Sequence, residues 1–249
     1  MTSFSLAGRT ALVTGARRGI GAAIAAGYAA AGAELILMAR DAALEDTLEE
    51  IKQYGGSASV VTADFADPSA VERAGVELAS RKIDILVNNA GTIRRAPAAE
   101  TSIDDWQHVI DVNLNSTWAL TRPIGAAMAR RGAGKIVTIA SLLSFQGGIT
   151  VPAYTASKHA VAGLTRALAN EWGPAGVQVN AIAPGYISTD NTAELRANPA
   201  REAAIRERIP AGRWGRPEDI VGAAVFLASA ASDYVNGHVL AVDGGWLAR

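Results

Sequence analysis

The chain alternates short apolar runs with longer stretches in which apolar positions recur at helical spacing. The runs of strand length are TALVT, ELILMA, SASVVTA, IDILVN, KIVTIAS, VQVNAIA and HVLAVD. Strands that are apolar on both faces are typical of a parallel sheet covered by helices on both sides. With right-handed crossovers, the pattern predicts an α/β fold, a doubly wound sheet of the Rossmann type with seven parallel strands. We expect residues 1–249 to form a single domain.

The alternation is interrupted at about residues 185–215, where charged, helix-like sequence separates the sixth and seventh predicted strands. In open parallel sheets, ligands bind beyond the carboxyl ends of the strands. This insertion leaves from one of those ends. We therefore expect it to cover a substrate.

Composition excludes several classes of function. The 23 Lys and Arg residues nearly balance 24 Asp and Glu and are spread along the chain, so we expect no nucleic-acid partner. There are no cysteines and only three scattered histidines, so we expect neither disulfides nor a metal site. The uncharged stretch Gly19 to Ala33, mostly Ala and Gly, is too short to span a bilayer, and the N-terminal residues show no signal-peptide core. We expect a cytoplasmic protein without membrane association.

A glycine-rich loop, TGARRGIG, follows the first predicted strand and opens a predicted helix. Its glycines, Gly15, Gly19 and Gly21, would let the backbone turn tightly and approach a pyrophosphate at the helix N-terminus. The spacing differs from the usual dinucleotide-binding G-x-G-x-x-G pattern. The alternative is a strand–helix turn that binds no ligand.

The stretch AYTASK places Tyr154 and Lys158 four residues apart in a helical pattern, so they share one helix face. A nearby ammonium favours the phenolate and would lower the tyrosine pKa towards neutrality. Ser141 ends an upstream predicted strand, where its hydroxyl could hold a substrate oxygen. The alternatives are a surface contact for the pair and a loop cap for the serine.

Taken together, these motifs resemble the short-chain dehydrogenase/reductase family over essentially the whole chain. TGARRGIG, NNAG (88–91), DVNLN with Asn113, Ser141, YTASK and PGYIST (184–189) stand in the family's order. The resemblance implies a nicotinamide cofactor, a homotetramer and a catalytic set on Asn113, Ser141, Tyr154 and Lys158. In that set Tyr154 would exchange the substrate proton, and Asn113 would hold a water linked to Lys158.

The resemblance also implies where the cofactor would lie. Asn88, Ala90 and Gly91 would follow the adenosine ribose, Asp64 would meet the adenine, and Ile187 with Thr189 would hold the nicotinamide amide. The full set of expected cofactor residues is Gly15, Arg17, Arg18, Gly19, Ile20, Gly21, Arg40, Asp64, Phe65, Asn88, Ala90, Gly91, Tyr154, Lys158, Pro184, Gly185, Ile187 and Thr189.

The end of the second strand, LMARDA, bears on the choice between NADP and NAD. An acid about 20 residues past the loop would bind a ribose 2′-hydroxyl, whereas an arginine accommodates a 2′-phosphate. By count Asp41 could be that acid. In the family's register the acid position falls on Ala39, followed by Arg40, with Arg18 in the glycine loop. This pattern favours NADP, with NAD as the alternative.

For the substrate, TIRRAP, SFQGGI, RIPAGRWG, SDYVNG and VDGGWLAR resemble a subgroup of the family that acts on sugar acids of the 2-keto-3-deoxygluconate, 2-deoxygluconate or gluconate type. Arg94 or Arg95 could clamp a carboxylate, with Arg94 taken as the candidate. Gln146 could bond a sugar hydroxyl, and Trp214 or Trp246 could wall the site. The expected substrate residues are Arg94, Ser141, Gln146 and Tyr154.

Two other functions share the same motifs. A 3-ketoacyl carrier-protein reductase would need a basic face for its acidic carrier, and the sequence shows none. A non-catalytic NADP-sensing protein could dispense with the tyrosine or the lysine, whereas both are present here.

Overall fold

A computed structural model describes residues 4–249, and its strands form one sheet. The strands are β1 Thr10–Thr14, β2 Glu34–Ala39, β3 Ala58–Thr62, β4 Ile85–Asn88, β5 Gly134–Ile139, β6 Val177–Pro184 and β7 Val239–Val242. They lie in the order β3-β2-β1-β4-β5-β6-β7, and every pairing is parallel. The prediction of a doubly wound, seven-stranded α/β fold is confirmed.

The connections between strands are mostly helical. Within the described residues the α-helices are α1 Gly19–Ala30, α2 Glu45–Gln53, α3 Pro68–Leu78, α4 Ile103–Ile110, α5 Ser116–Arg131, α6 Pro152–Trp172, α7 Ala193–Ala197, α8 Pro199–Arg208 and α9 Glu218–Ala228. A π-helical turn, Asp111–Asn115, joins α4 to α5. None of the helices in residues 4–249 is long and apolar enough to cross a membrane.

Two apolar layers cover the sheet because successive side chains of a strand point to opposite faces. In β1, Ala11 and Val13 pack into the layer that contains α1 and α9, and Leu12 packs into the layer that contains α3, α5 and α6. The same alternation continues in the neighbouring strands. This explains why the strands read as continuous apolar runs rather than as half-polar ones.

Helix α1 ends two residues before Gly32. Its last helical residue is Ala30, and Gly32 adopts the left-handed conformation, with φ of +94°. The Ala33 amide then donates to the Tyr28 carbonyl at 3.0 Å, which closes the helix C-terminus.

The strand order reverses between β1 and β4, and this switch point opens a crevice at the carboxyl ends of the strands. The glycine-rich loop leaves β1 at that edge. The segment of residues 185–215, here called the lid segment, leaves the end of β6 and carries α7 and α8 before the chain returns to the sheet through α9.

Candidate active site

The glycine-rich loop is shaped by contacts that exclude side chains. A Cβ on Gly21 would lie 2.3 Å from the Gly15 carbonyl oxygen, and Gly19 has a φ of +60°. Larger residues would be strained or would clash at these positions. The start of α1 therefore packs closely against the loop, leaving its helix N-terminus open for an anion.

Asn89, rather than Asn88, ties the loop to β4. The Asn89 side-chain amide donates to the carbonyl oxygens of Thr14, at 2.9 Å, and Gly15, at 3.1 Å. The Asn88 side chain points into the interior and donates to Thr121 and Thr138. Adjacent side chains leave a strand on opposite faces, so only one of the two asparagines can face the crevice.

A cavity of about 630 Å³ fills the crevice at the switch point. The lining residues are Gly15, Arg17, Arg18, Gly19, Ile20, Ala39, Arg40, Asp41, Asp64, Phe65, Ala66, Asn89, Ala90, Gly91, Thr92, His108, Val112, Ser188, Thr189, Asp190, Asn191 and Pro217. Its size is that of a small-molecule site. The glycine cradle and three arginines along its wall fit the phosphates of a dinucleotide.

Most of the residues expected to bind the cofactor from the glycine loop, β2, β3 and β4 lie in this lining. The expected cofactor residues outside the lining are Gly21, Asn88, Tyr154, Lys158, Pro184, Gly185 and Ile187. A Cβ on Gly185 would lie 2.6 Å from the Asp243 Cα, and Ile187 is buried, 4 % exposed, in the apolar layer beside β6. Pro184 ends β6, and Gly185 and Ile187 begin the lid segment, whereas Thr189 reaches the cavity.

Tyr154, Lys158 and Ser141 meet just beyond the Gly91 end of the cavity. Helix α6 begins at Pro152, whose fixed φ suits the first helical position. Tyr154 and Lys158 lie one turn apart on the same face of this helix. The Lys158 Nζ lies 5.5 Å from the centre of the Tyr154 ring. A Cβ on Gly91, a cavity-lining residue, would lie 4.0 Å from that Nζ, which places the lysine at the edge of the cavity.

Asn113 lies in the π-helical turn and contacts α6 next to Lys158, through Ser157. Its Oδ1 accepts from the Thr92 backbone amide at 2.8 Å, and its Nδ2 donates to the Thr92 carbonyl and to the Ser157 hydroxyl. Turns of this kind often occur at functional sites. The Asn113 side chain in this turn faces Thr92 and Ser157. It is 1 % exposed.

Burial governs the protonation of this group. It raises the pKa of the Tyr154 phenol above its ordinary value, although the Ser141 hydroxyl and the charge of Arg95 act in the lowering direction. Burial also lowers the pKa of Lys158 to about 8. We expected Lys158 to lower the tyrosine pKa. In the structure the loss of solvation outweighs the neighbouring hydrogen bond and charge at the phenol. The lysine ammonium itself donates to the Ile139 carbonyl at 2.7 Å.

Replacing Lys158 with methionine is expected to stabilise the ligand-free protein by about 1–2 kcal/mol near pH 7. Lowering a pKa from 10.5 to about 8 costs roughly 3 kcal/mol in the charged form, and the lost hydrogen bond offsets about 1. The cost is present below pH 8 and disappears as pH rises to 10.5, because the folded protein then releases the proton before the unfolded chain does. The advantage of methionine should shrink across that window. Urea unfolding near pH 7 and near pH 10 measures it, and a less stable variant at both would contradict the argument.

The two arginines after β4 take different directions. Arg94 is 55 % exposed and pairs with Asp105 on α4. Arg95 is 24 % exposed, contributes to the field at Tyr154, and reaches the lid segment. Its Nη2 donates to the Asn191 carbonyl at 3.2 Å, and its Nε lies 3.7 Å from Glu194. Arg95, the alternative to Arg94, is thus the one beside the tyrosine.

An aromatic cluster joins the lid segment to the loop after Ser141. Trp246 is buried against Leu142, Ile205 and Ile209, and its ring centre lies 4.7 Å from that of Tyr186. The Trp246 Nε1 donates to the Gln146 Oε1 at 3.0 Å. The bond leaves the Gln146 Nε2 as the group that can donate to a ligand. Trp246 packs behind the loop, while Trp214 stacks edge-on against Tyr186.

Comparison with known proteins decides the family. The family model "Enoyl-(Acyl carrier protein) reductase" matches residues 15–247. The 2-dehydro-3-deoxy-D-gluconate 5-dehydrogenase of Bacillus subtilis is 58 % identical over 99 % of this chain and 98 % of its own length. The chain belongs to the short-chain dehydrogenase/reductase family. As a member of that family it is an oxidoreductase, as its motifs predicted.

Two solved structures of short-chain dehydrogenases/reductases superpose closely. A candidate 2-deoxy-D-gluconate 3-dehydrogenase from Agrobacterium tumefaciens, with bound NADP, is 59 % identical, has a TM-score of 0.96 and covers 100 % of both chains. A candidate NAD(P)-dependent gluconate 5-dehydrogenase from Beutenbergia cavernae, with NADP at low occupancy, is 59 % identical, has a TM-score of 0.97 and covers 99 % of this chain and 100 % of its own.

Several cavity residues of this short-chain dehydrogenase/reductase were not expected from its sequence. They are Asn89, His108, Val112, Ser188 and Asp190. Asn89 stands in the NNAG motif, but the sequence does not say which asparagine faces the crevice. Asp190 directly follows Thr189 and could have been found by extending the motif PGYIST by one residue. Nothing in the sequence around His108 marks it. Within residues 4–249 no group of three His, Asp or Glu residues is arranged to hold a metal.

Proposed function

We propose that the chain is an NADP(H)-dependent oxidoreductase that transfers hydride between the nicotinamide and a secondary alcohol or ketone of a sugar acid. The substrate is of the 2-keto-3-deoxygluconate, 2-deoxygluconate or gluconate type. The observation that carries this is the meeting of Ser141, Tyr154 and Lys158 at one end of a cavity whose other end is lined by arginines. Relatives bearing the names of sugar-acid dehydrogenases support the substrate class.

Tyr154 exchanges the proton of the substrate oxygen in this proposal. The nicotinamide, when bound, supplies the site that takes or gives hydride. In ketone reduction the Tyr154 hydroxyl donates its proton to the oxygen, and in alcohol oxidation the phenolate accepts it. A raised tyrosine pKa keeps the proton on the phenol in the ligand-free protein, which suits the donor direction.

Ser141 and Lys158 orient the reacting groups. The Ser141 hydroxyl lies beside the Tyr154 phenol and can donate to the same substrate oxygen. The Lys158 ammonium donates to the Ile139 carbonyl and lies beside Gly91, which lines the cavity, so a ribose hydroxyl bound there is within its reach in this proposal. Asn113 holds the Thr92 backbone and Ser157 in place behind the lysine and so keeps the floor of the site fixed.

The carboxylate of the sugar acid is assigned to Arg95. A guanidinium can hold a carboxylate through two parallel hydrogen bonds, and Arg95 stands next to Tyr154 with most of its side chain shielded. Its present partners, the Asn191 carbonyl and Glu194, belong to the lid segment. A substrate carboxylate at Arg95 would therefore contact the lid segment and the proton donor together.

The phosphate groups of the cofactor are assigned to the opposite end of the cavity. Arg18 and Arg40 line it beside Ala39, which offers no acid to a ribose hydroxyl at the end of β2. A 2′-phosphate is favoured where an arginine replaces that acid. The cofactor is therefore NADP(H) in preference to NAD(H).

A panel assay tests the function. Purified protein is mixed with NADP⁺ or NADPH and with gluconate, 2-deoxygluconate, 2-keto-3-deoxygluconate and an acetoacetyl thioester, while the nicotinamide absorbance is followed. Turnover of a sugar acid and not of the thioester is expected. Turnover of the thioester alone would instead identify a carrier-protein type of ketone reductase.

We also propose that the enzyme is a homotetramer. Ile103 on α4 is 78 % exposed, and Trp106 and Trp118 on the same pair of helices are 37 % and 40 % exposed. Large exposed apolar side chains are typical of a surface that packs against another subunit. Size-exclusion chromatography with light scattering should give about four times the 25.7 kDa chain mass. A chain that stays monomeric at micromolar concentration would contradict the proposal.

A further inference from the structure

Three arginines line the phosphate end of the cavity, and carboxylates of the chain itself already engage two of them. The Arg17 Nη1 lies 3.2 Å from the Asp41 Oδ2, and the Arg18 Nη1 lies 2.5 Å from the Asp190 Oδ2. In the part of the chain that the structure describes, no carboxylate pairs with Arg40. All five side chains line the cavity, so both acids face the space that a cofactor would fill.

Asp41 is held in place at the end of β2. Its Oδ1 accepts from the Ala43 amide at 3.2 Å, which fixes the carboxylate in the turn after Arg40. It follows Ala39 by two residues and the last glycine of the loop by about 20, the distance at which an acid can accept from a ribose 2′-hydroxyl. The chain thus presents an acid suited to NAD and an arginine suited to NADP side by side.

Asp190 comes from a different element. It stands at the start of the lid segment's first short turn, and its pair with Arg18 spans the cavity mouth from the glycine loop to the lid segment. A phosphate that takes Arg18 must displace this carboxylate or lie beside it. Either way, part of the attraction between arginine and phosphate is offset by the acid.

We infer that Asp41 and Asp190 are specificity-determining residues that limit the preference for the phosphate-bearing cofactor, so that the enzyme uses NADP(H) first and NAD(H) as well. The three arginines and two acids leave one net positive charge, whereas a 2′-phosphate brings about two negative charges. The inference rests on the proposed function for its nicotinamide cofactor alone and makes no use of the substrate.

The solvent exposure of the two ion pairs determines how much each acid should change the affinity for NADPH. The Arg17 and Asp41 side chains are 50 % and 43 % exposed, and Arg18 and Asp190 are 73 % and 63 % exposed. Exposed ion pairs contribute at most about 1 kcal/mol, which is about fivefold in affinity. Each acid should therefore change the NADPH dissociation constant severalfold rather than by orders of magnitude.

The test measures cofactor binding directly, without sugar acid. Dissociation constants of NADPH and NADH are obtained from nicotinamide fluorescence for wild type, Asp41→Asn, Asp190→Asn and the double variant. Asp46→Asn is the matched control, because it removes the same charge from the exposed first turn of α2, outside the cavity lining. Circular dichroism confirms that each variant is folded.

We expect each single substitution to lower the dissociation constant of NADPH about threefold and the double substitution to lower it about tenfold. The dissociation constant of NADH should change less than twofold, and the control variant should bind both cofactors as wild type does. The gain should shrink at about 1 M salt, where exposed charges are screened. Equal tightening of both cofactors, no tightening in folded variants, or a wild type that binds NADPH and not NADH would overturn the inference. A wild type that binds neither cofactor would overturn the proposed function itself.

Discussion

Replacing Tyr154 with phenylalanine is expected to lower kcat/KM by about 10²–10⁴-fold. The substitution keeps the ring and its position beside Lys158, and removes only the hydroxyl that is proposed to exchange the substrate proton. A positioned proton donor contributes about that factor to enzymatic rates. The dissociation constant of NADPH should change less than about twofold, because the cavity that holds the phosphates is untouched.

Tyr54→Phe is the matched control for this prediction. Tyr54 caps the end of α2 and is 55 % exposed, far from the cavity lining, so the same chemical change there should leave kcat/KM unaltered. If Tyr154→Phe kept more than about a tenth of wild-type activity, proton exchange at this tyrosine would be refuted. The enzyme would then have to use another group for the substrate proton.

The second large effect is expected at Arg95. Replacing it with leucine should raise KM for the sugar acid about 100-fold while kcat falls much less, because the carboxylate loses a charged hydrogen-bond partner worth about 1.5–3 kcal/mol. Leucine preserves part of the apolar stem of the side chain. Steady-state kinetics with saturating NADPH separates the two constants.

Arg94→Leu provides the comparison, because Arg94 follows the same strand and pairs with Asp105 away from the tyrosine. We expect it to change KM less than about threefold, as for an exposed surface pair. A larger effect at Arg94 than at Arg95 would indicate that the substrate carboxylate binds Arg94, the candidate taken from the sequence. A substrate analogue with a neutral group in place of the carboxylate should be used equally poorly by wild type and by Arg95→Leu; a further loss in the variant would indicate damage to the lid segment instead.

The lid segment makes the Arg95 experiment informative about more than one contact. Arg95 binds the Asn191 carbonyl and Glu194 on one side of the lid segment, while Arg18 binds Asp190 on the other. Two of the arginines that are proposed to meet ligand anions therefore pair with lid carboxylates in the ligand-free protein. Glu194→Gln should lower KM for the sugar acid severalfold if the substrate carboxylate displaces Glu194, and should leave it unchanged if the two bind Arg95 together.

The sequence alone determined the fold and the local geometry of the site. Alternation of apolar runs with helical patterns predicted all seven strands, because the five inner strands are buried on both faces and the two edge strands remain rich in apolar residues. The spacing of Tyr154 and Lys158 fixed their common helix face, since helix geometry depends only on separation along the chain. The glycines of the loop likewise marked a tight strand-to-helix turn through backbone constraints that are local.

Only the tertiary structure decided which neighbouring side chain faces the site. Asn89 rather than Asn88 meets the glycine loop, and Arg95 rather than Arg94 stands beside Tyr154. The strand end at Asn88 and the loop at Arg94 have too few periodic positions to fix their phase from sequence. Their direction depends on what packs against them.

The tertiary structure also decided the electrostatics. The pair of Arg18 and Asp190 joins residues far apart in the chain, and burial rather than the neighbouring lysine sets the direction of the Tyr154 pKa. Solvation and charge at a point depend on every segment that surrounds it, and the order of residues along the chain does not state which segments those are. The sequence determined which groups are candidates for the chemistry. The packing determined their protonation and their hydrogen-bond and ion-pair partners in the ligand-free protein.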